Sequence, residues 1–277
     1  MSNLLETVAN DLITQIKEDT LILPSLPEVC LKVRDVAENI DSGIPQLARV
    51  ISQDAALAAR IIKVANSPLV RTPSEVTDIG TAVARLGINF TSNLAMGLAM
   101  EQMFQATSDV IDKRMRGIWT QSSEIASICH AMATHYTKLL PDQAMLGGLI
   151  HKIGALPILA YAEDNNALLN DAFALDKLIE KLHPVIGTYI VKAWKFPTNL
   201  INIPGQYLKF DRTPKQHDYA DLVQVAVLQS LAETNHPYTK LDWNTIGSFE
   251  RLGISPEVEM TNMVELGEGE SITDLLS

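Results

Sequence analysis

With 277 residues and 47% hydrophobic content, the chain is long enough to bury one large core or two modest ones. Its 33 acidic residues against 22 basic ones give a formal net charge of -11 with no Lys/Arg cluster to offset it, which argues against duplex nucleic acid as a partner. Glu6 and Asp11 stand where a secretion signal wants a basic start and an apolar centre, and no run of about 18 apolar residues is evident. A cytoplasmic protein with no membrane span is therefore expected.

Helical periodicity runs through nearly the whole chain. Leu5, Val8, Ala9 and Leu12 share one face of a first helix. In Ser25-Leu26-Pro27-Glu28, Ser25 can cap a second helix and Glu28 complete a capping box. Ser42 and Pro45 open a third, with Ile44, Leu47, Ala48 and Ile51 on its buried face. Asp54 caps a fourth, which presents Leu57, Ile61, Val64 and Ala65 and stops at Asn66-Ser67-Pro68, because proline disfavours helical geometry in the residue before it. Asp78 begins a fifth, with Ile79, Ala82, Val83 and Leu86 inward and Gly87 closing it. Leu94 and Leu98 belong to the helix that follows.

A long helix is predicted from about Ile111 to Tyr136, a short apolar one over Asp142 to Ile150, and another over Ile153 to Tyr161. Leu175, Leu178, Ile179 and Leu182 form a stripe, after which Pro184 restarts the chain as a helix ending near Trp194. Asp218 to Leu231 and Trp243 to Leu252 complete the set. Strand-like alternation is absent apart from short ambiguous pieces. The fold class is all-α, a multi-helical bundle. Cys30 and Cys129 fall in apolar helical patterns and read as reduced core residues. Met96, Met100, Met103 and Phe104 read as core, and Trp119 and Trp194 as anchors of the bundle. Gly147 and Gly148 lack the rest of a phosphate loop and read as sites of close helix packing or a helix junction.

Phosphoester hydrolysis on divalent metals needs clustered imidazoles and carboxylates. His130, His151 and His183 lie in helices or at their ends, and three imidazoles could form a metal site, although spacing does not show that they converge. Asp142 and Glu180 have no compelling ligand context.

The chain resembles the HDOD family, the HD-related output domains of bacterial signalling proteins. The resemblance rests on Leu23-Pro24-Ser25-Leu26-Pro27, on Leu47 to Asp54 running through Leu57 and Arg60 to Ala65-Asn66-Ser67-Pro68, and on Ile79 to Gly87 with its Arg85-Leu86-Gly87. Trp119 with Ser122, Gly148-Leu149-Ile150-His151-Lys152-Ile153-Gly154, and His183, Gly187, Trp194 and Pro197 extend it, so that it covers roughly residues 20-210. It implies an HD-like bundle, with a first helix at 1-19, an HDOD domain at 20-215 in two sub-bundles (about 20-109 and 110-215), and a C-terminal helical extension at 216-277 packed on it.

Related catalytic HD phosphohydrolases hold metal at a first His, a His-Asp pair and a later Asp. His151 matches the His of the pair, and Lys152, a cation near neutral pH, stands where its Asp would be. Tyr207-Leu208 occupies the region where many family members carry a His-His pair. His130, His151, Lys152 and His183 therefore read as a degenerate HD site, with no catalytic residue, metal or cofactor expected. More ordinary roles are open to each: His151 bonded to a carbonyl or water, Lys152 turned to solvent or paired with a carboxylate, and His183-Pro184 as a cap and helix start.

A second candidate is the loop at 66-76. Asn66 can bond its backbone or face a partner, with Ser67 and Pro68 beside it. Asp54 and Arg60 could form a charged network, and Arg85 could reach the loop's carbonyls. The resemblance implies a non-catalytic signalling module that acts on a protein partner or through self-association, with no nucleic acid or membrane involved. A divergent metal-dependent phosphohydrolase using His130, His151 and His183, and a small-ligand (nucleotide) sensor, remain as alternatives.

Overall fold

Apolar residues at helical spacing fold into helices along almost the whole chain, and no strand occurs among the described residues. The computed structural model describes residues 2–18, 20–67, 70 and 75–257. Pro68, residues 258–277 of the predicted extension and the Leu5 side chain lie outside that description.

The N-terminal half holds α2 (Glu28–Glu38), α3 (Ile44–Ile51), α4 (Ala55–Ala65), α5 (Ile79–Leu86) and α6 (Ile88–Met100). In it α2 packs on α3 and α6, and α5 packs on α3 and α4. The C-terminal half is organised on the long α7 (Asp109–Tyr136), which lies along α8 (Pro141–Ile150) and also meets α9 (Ala155–Glu163) and α14 (Tyr219–Ser230). The short α10 (Asn166–Leu169) leads into α11 (Ala172–Ala193). Behind α11 come α12 (Thr198–Ile201) and α13 (Ile203–Gln206), and α15 (Gly247–Leu252) closes on α14. The first helix, α1 (Ser2–Lys17), packs on α11 and so belongs to the far half of the molecule.

The halves share one continuous apolar core, and α6 packs directly on α8. Polar bonds cross the same boundary: Arg34 donates to the Trp194 carbonyl (2.5 Å), and the Trp194 indole donates to that of Pro24 (3.1 Å). Cys30 and Cys129 are free and buried; burial pushes the Cys30 thiol up to about 12 and that of Cys129 higher still. Met96, Met100, Phe104, Trp119 and Trp194 are all in the core.

Asp54 caps α4 as predicted and Asp78, expected to begin a helix, caps α5; Asp218, expected only as the start of a helix, caps α14, each accepting from the N–H three residues on. Other expectations need correction. Ser25 caps nothing: Pro27 is the N-cap of α2, in extended geometry, so the helix starts one residue beyond the proline and the Ser25–Glu28 box has no room to form. Ile44 is 37% exposed at the edge of the first turn of α3, while Leu47, Ala48 and Ile51 are buried. Pro184 restarts nothing, since α11 runs unbroken through it. The proline removes only the bond to the Glu180 carbonyl one turn back, and the helix continues past it. The Trp243–Leu252 segment is split. Asp242 caps a 3-10 turn at Trp243–Thr245, Ile246 is extended, and only Gly247–Leu252 is α-helical.

One segment comes near a membrane span in length and composition, although charged residues interrupt it and no uninterrupted run of 18 apolar residues occurs. It is residues 141–163, which cover α8, a turn and α9, and 83% of its apolar window is buried inside the bundle. Core packing accounts for that apolarity. The segment from residue 216 is likewise part of the core. Asp221 of α14, fully buried, accepts from Arg251 (2.7 and 3.0 Å) and Ser248 (2.9 Å) and pairs with Arg212 at 3.1 Å. Burial alone would raise that carboxyl, but the Arg251 bonds and the Arg212 charge outweigh it and hold it below the usual carboxylate range.

Candidate functional site

The stretch Gly147 to Gly154 brings backbones into contact that other residues would hold apart. A Cβ on Gly148 would lie 2.5 Å from Ala126 Cα of α7, and one on Gly154 would lie 2.1 Å from the His183 carbonyl oxygen of α11. This close packing sets His151 and Lys152, in the turn between α8 and α9, against His183 at the middle of α11.

Both imidazoles are buried, and the chain determines their tautomers. His151 Nδ1 lies 2.5 Å from the Gly148 carbonyl and His183 Nδ1 lies 2.6 Å from that of Ile179. A carbonyl can only accept, so each Nδ1 carries the proton and each Nε2 presents a lone pair. Burial pushes His151 down to about 3 and His183 to about 4, so both rings are neutral at physiological pH. The His183 lone pair is already used: the Tyr207 hydroxyl donates to it at 2.6 Å. Burial raises the Tyr207 phenol far above its ordinary value, which keeps that donor protonated. The edge of Tyr207 also meets the His151 ring at 5.1 Å and 90°.

Lys152 neither reaches bulk solvent freely nor pairs with a carboxylate. Half-buried, it donates to the Gln121 amide oxygen of α7 at 2.8 Å and forms no salt bridge among the described residues. Burial lowers its pKa, and the charge of Asp176 acts the other way. Asp176 itself pairs with Arg114 at 2.5 Å, and Glu180 with Lys177 at 2.6 Å. Arg114, Gln121, Lys152, Asp176 and Glu180 help line a cavity of about 380 Å³, together with Val227 of α14, Leu231 just after it, His236 and Tyr238. Gln224, also of α14, donates to the carbonyls of Tyr207 (2.8 Å) and Lys209 (3.0 Å) and so fixes Tyr207 in place.

His130 does not join the other two histidines. It lies nine residues beyond Gln121 on the same helix, about 13 Å along the axis. There it meets Phe90 edge-on at 6.1 Å, and burial pushes it down to about 4, against the opposing charge of Asp142. Asp142 accepts from Asn93 at 2.7 Å. His183 is neither a cap nor a helix start but a mid-helix residue. Among the described residues no group of three His, Cys, Asp or Glu side chains could hold a metal ion. The donor set at residues 151, 152 and 183 also does not fit one. It offers one imidazole lone pair, a second already engaged by a phenol, and an ammonium, with no carboxylate to offset a cation's charge.

The second candidate is self-contained. The Asn66 amide bonds both backbone groups of Val76: Nδ2 donates to its carbonyl and Oδ1 accepts from its N–H, each at 2.7 Å. Asn66 thereby joins the two ends of the 66–76 connection. Arg85 donates to the carbonyl of Ala65, one residue before the loop (3.3 Å). The predicted Asp54–Arg60 network is two separate contacts: Asp54 caps Leu57, and Arg60 pairs with Glu101. Ser67 is buried.

Sequence reasoning had noted Tyr207 only as a replacement for a histidine, and it did not anticipate Gln121, Arg114 or the α14 wall. Arg114 and Gln121 come from α7, Tyr207 from the end of α13 and the wall from α14, each distant in sequence from residues 151 and 152, and nothing in the local pattern marks them.

Over residues 23–206 the chain matches the HDOD domain. A structure from Shewanella amazonensis SB2B, provisionally named a metal-dependent phosphohydrolase, is 29% identical and covers 96% of this chain and 99% of its own, with a TM-score of 0.81. An HDOD domain protein of unknown function from Geobacter sulfurreducens is 21% identical, covers 93% of each chain and has a TM-score of 0.64. A Treponema pallidum (strain Nichols) protein, named only as uncharacterized, is 24% identical over 209 residues. The match covers 70% of this chain and 39% of that protein, so the chain spans well under half the length of this relative.

Proposed function

The chain belongs to the HDOD domain family, a branch of the HD-like signal-transduction proteins, and from that premise we propose that it is a non-catalytic cytoplasmic signalling module acting through a protein partner. The observation that carries the reading is the pairing of Lys152 with Gln121 and of His183 with Tyr207. Together they put a cation and a hydrogen-bonded phenol where hydrolysis would need an anion and an open ligand position. The Shewanella neighbour's name points instead to metal-dependent hydrolysis. The residues of this chain support that chemistry poorly, because an ammonium in the first coordination sphere repels a divalent cation.

The test has two arms. Purified protein is loaded in turn with manganese, magnesium and ferrous iron, analysed for bound metal, and assayed on phosphodiester and phosphomonoester substrates; the expected result is no stoichiometric metal and no turnover. Affinity capture from the native cell is then followed by reconstitution with the purified candidate, and a 1:1 complex supports the reading. Bound metal with turnover refutes it.

A further inference from the structure

The cavity beside Lys152 has three features that the partner reading leaves unused. Of the charged residues lining it, Arg114 is paired with Asp176 and Glu180 with Lys177, which leaves Lys152 as the lining cation without a salt bridge among the described residues. The Nε2 of His151 makes no hydrogen bond among the described residues, and its ring lines the cavity, so an acceptor is available for a ligand hydroxyl. Another part of the lining is an apolar and aromatic wall. Val227, Leu231 and Tyr238 line it, and Tyr238 meets His236 edge-on at 4.5 Å. That wall comes from residues beyond 206, outside the segment matched to the family. At about 380 Å³ the space falls within the range of small-molecule sites.

We propose that this cavity binds a small phosphate monoester with an aromatic body, of the nucleoside monophosphate class, anchored by Lys152. The phosphate takes the ammonium as a charge-assisted partner, and Arg114 lies within the same cavity. A ribose hydroxyl donates to His151 Nε2, and the base lies against the Tyr238 wall. A neutral imidazole and a single excess cation suit a compact anion that also carries hydroxyl donors. They do not suit a bare metal ion. The proposal stands apart from the partner reading: a protein complex can form whether or not the cavity is filled.

Calorimetric titration of the full chain with AMP, GMP, CMP and UMP, and with adenosine and inorganic phosphate as controls, tests it. At least one nucleotide is expected to bind saturably at 1:1, with adenosine and inorganic phosphate each weaker by about tenfold or more. Lys152→Gln is expected to weaken the nucleotide by about tenfold while the far-ultraviolet dichroism is unchanged. The proposal is overturned if no nucleotide binds at millimolar concentration, if inorganic phosphate binds as tightly as the nucleotide, or if Lys152→Gln binds like the parent. Should that variant fail to fold, Leu231→Trp narrows the same cavity from the half-buried residue that follows α14; affinity retained in it equally overturns the proposal.

Discussion

The Asn66 loop and the His151–His183 cavity are both polar places in an apolar bundle, and they are built in opposite ways. Asn66 bonds the N–H and the carbonyl of a single residue ten positions on, and Arg85 reaches the carbonyl just before it. Its amide is used on both sides by the chain that carries it. The cavity draws on α7, the α8–α9 turn, α11, the residue following α13, and α14, and it leaves capacity over: an ammonium held only by an amide and an imidazole nitrogen with no bond among the described residues. A polar group satisfied by its own loop serves architecture. A polar group buried at a cost and left partly unsatisfied is where a ligand gains most.

The sharpest way to break that contrast is to remove the packing that creates the cavity. Gly154→Ala sets a Cβ against the backbone of α11 and is expected to cost about 3 kcal/mol or more, seen as loss of cooperative unfolding in urea. Acid comes next. His151 and His183 have folded values of about 3 and about 4, below the unfolded value near 6.5, so the unfolded chain binds more protons across that interval. Stability is therefore complete above pH of about 6.5 and falls as the pH drops from there toward about 3, by several kcal/mol at most. Urea midpoints measured at descending pH check it, and a His151→Gln/His183→Gln double variant is expected to flatten the slope.

Asn66→Ala strands two backbone groups of Val76 and is expected to cost about 2 kcal/mol with nucleotide affinity unchanged, which separates the loop from the cavity. Tyr207→Phe leaves the His183 lone pair without its donor and is expected to cost about 1–2 kcal/mol, read by chemical denaturation. The smallest effect is expected from Lys152→Met. Removing a half-buried ammonium with no salt bridge relieves its desolvation, so thermal stability is expected to stay level or rise by up to about 1 kcal/mol. A large loss there would mean that Lys152 is structural and would erase the contrast.

Much of the fold was legible because its signals are local. Asp54, Asp78 and Asp218 each sit three residues before the N–H they accept, and Leu57, Ile61, Val64 and Ala65 share a helical stripe, so spacing alone locates them. Asn66 was legible as a loop residue for the same reason. The misreadings came where distant packing overrode local chemistry. Pro184 lies inside a helix that continues through it, and Ile246 breaks a stretch whose periodicity favoured one helix. At the site, His151, Lys152 and His183 could be singled out by residue type, while their partners could not. Gln121 and Tyr207 lie 31 and 24 residues from the groups they bind, and no pattern of that length exists in a single sequence.

Amino-acid order by itself therefore determined most of the helices, the Asp54 and Asp78 starts, the all-α class and the presence of a cation at position 152, since each depends on contacts within a turn or on the charge of one side chain. Tertiary structure alone decided that His130 stands apart, that a phenol occupies the His183 lone pair, that α1 crosses to α11, and that α14 closes a cavity over Lys152. Those outcomes depend on how helices far apart in the chain approach one another. That approach is set by the fit of many side chains at once, down to the missing Cβ atoms of Gly148 and Gly154.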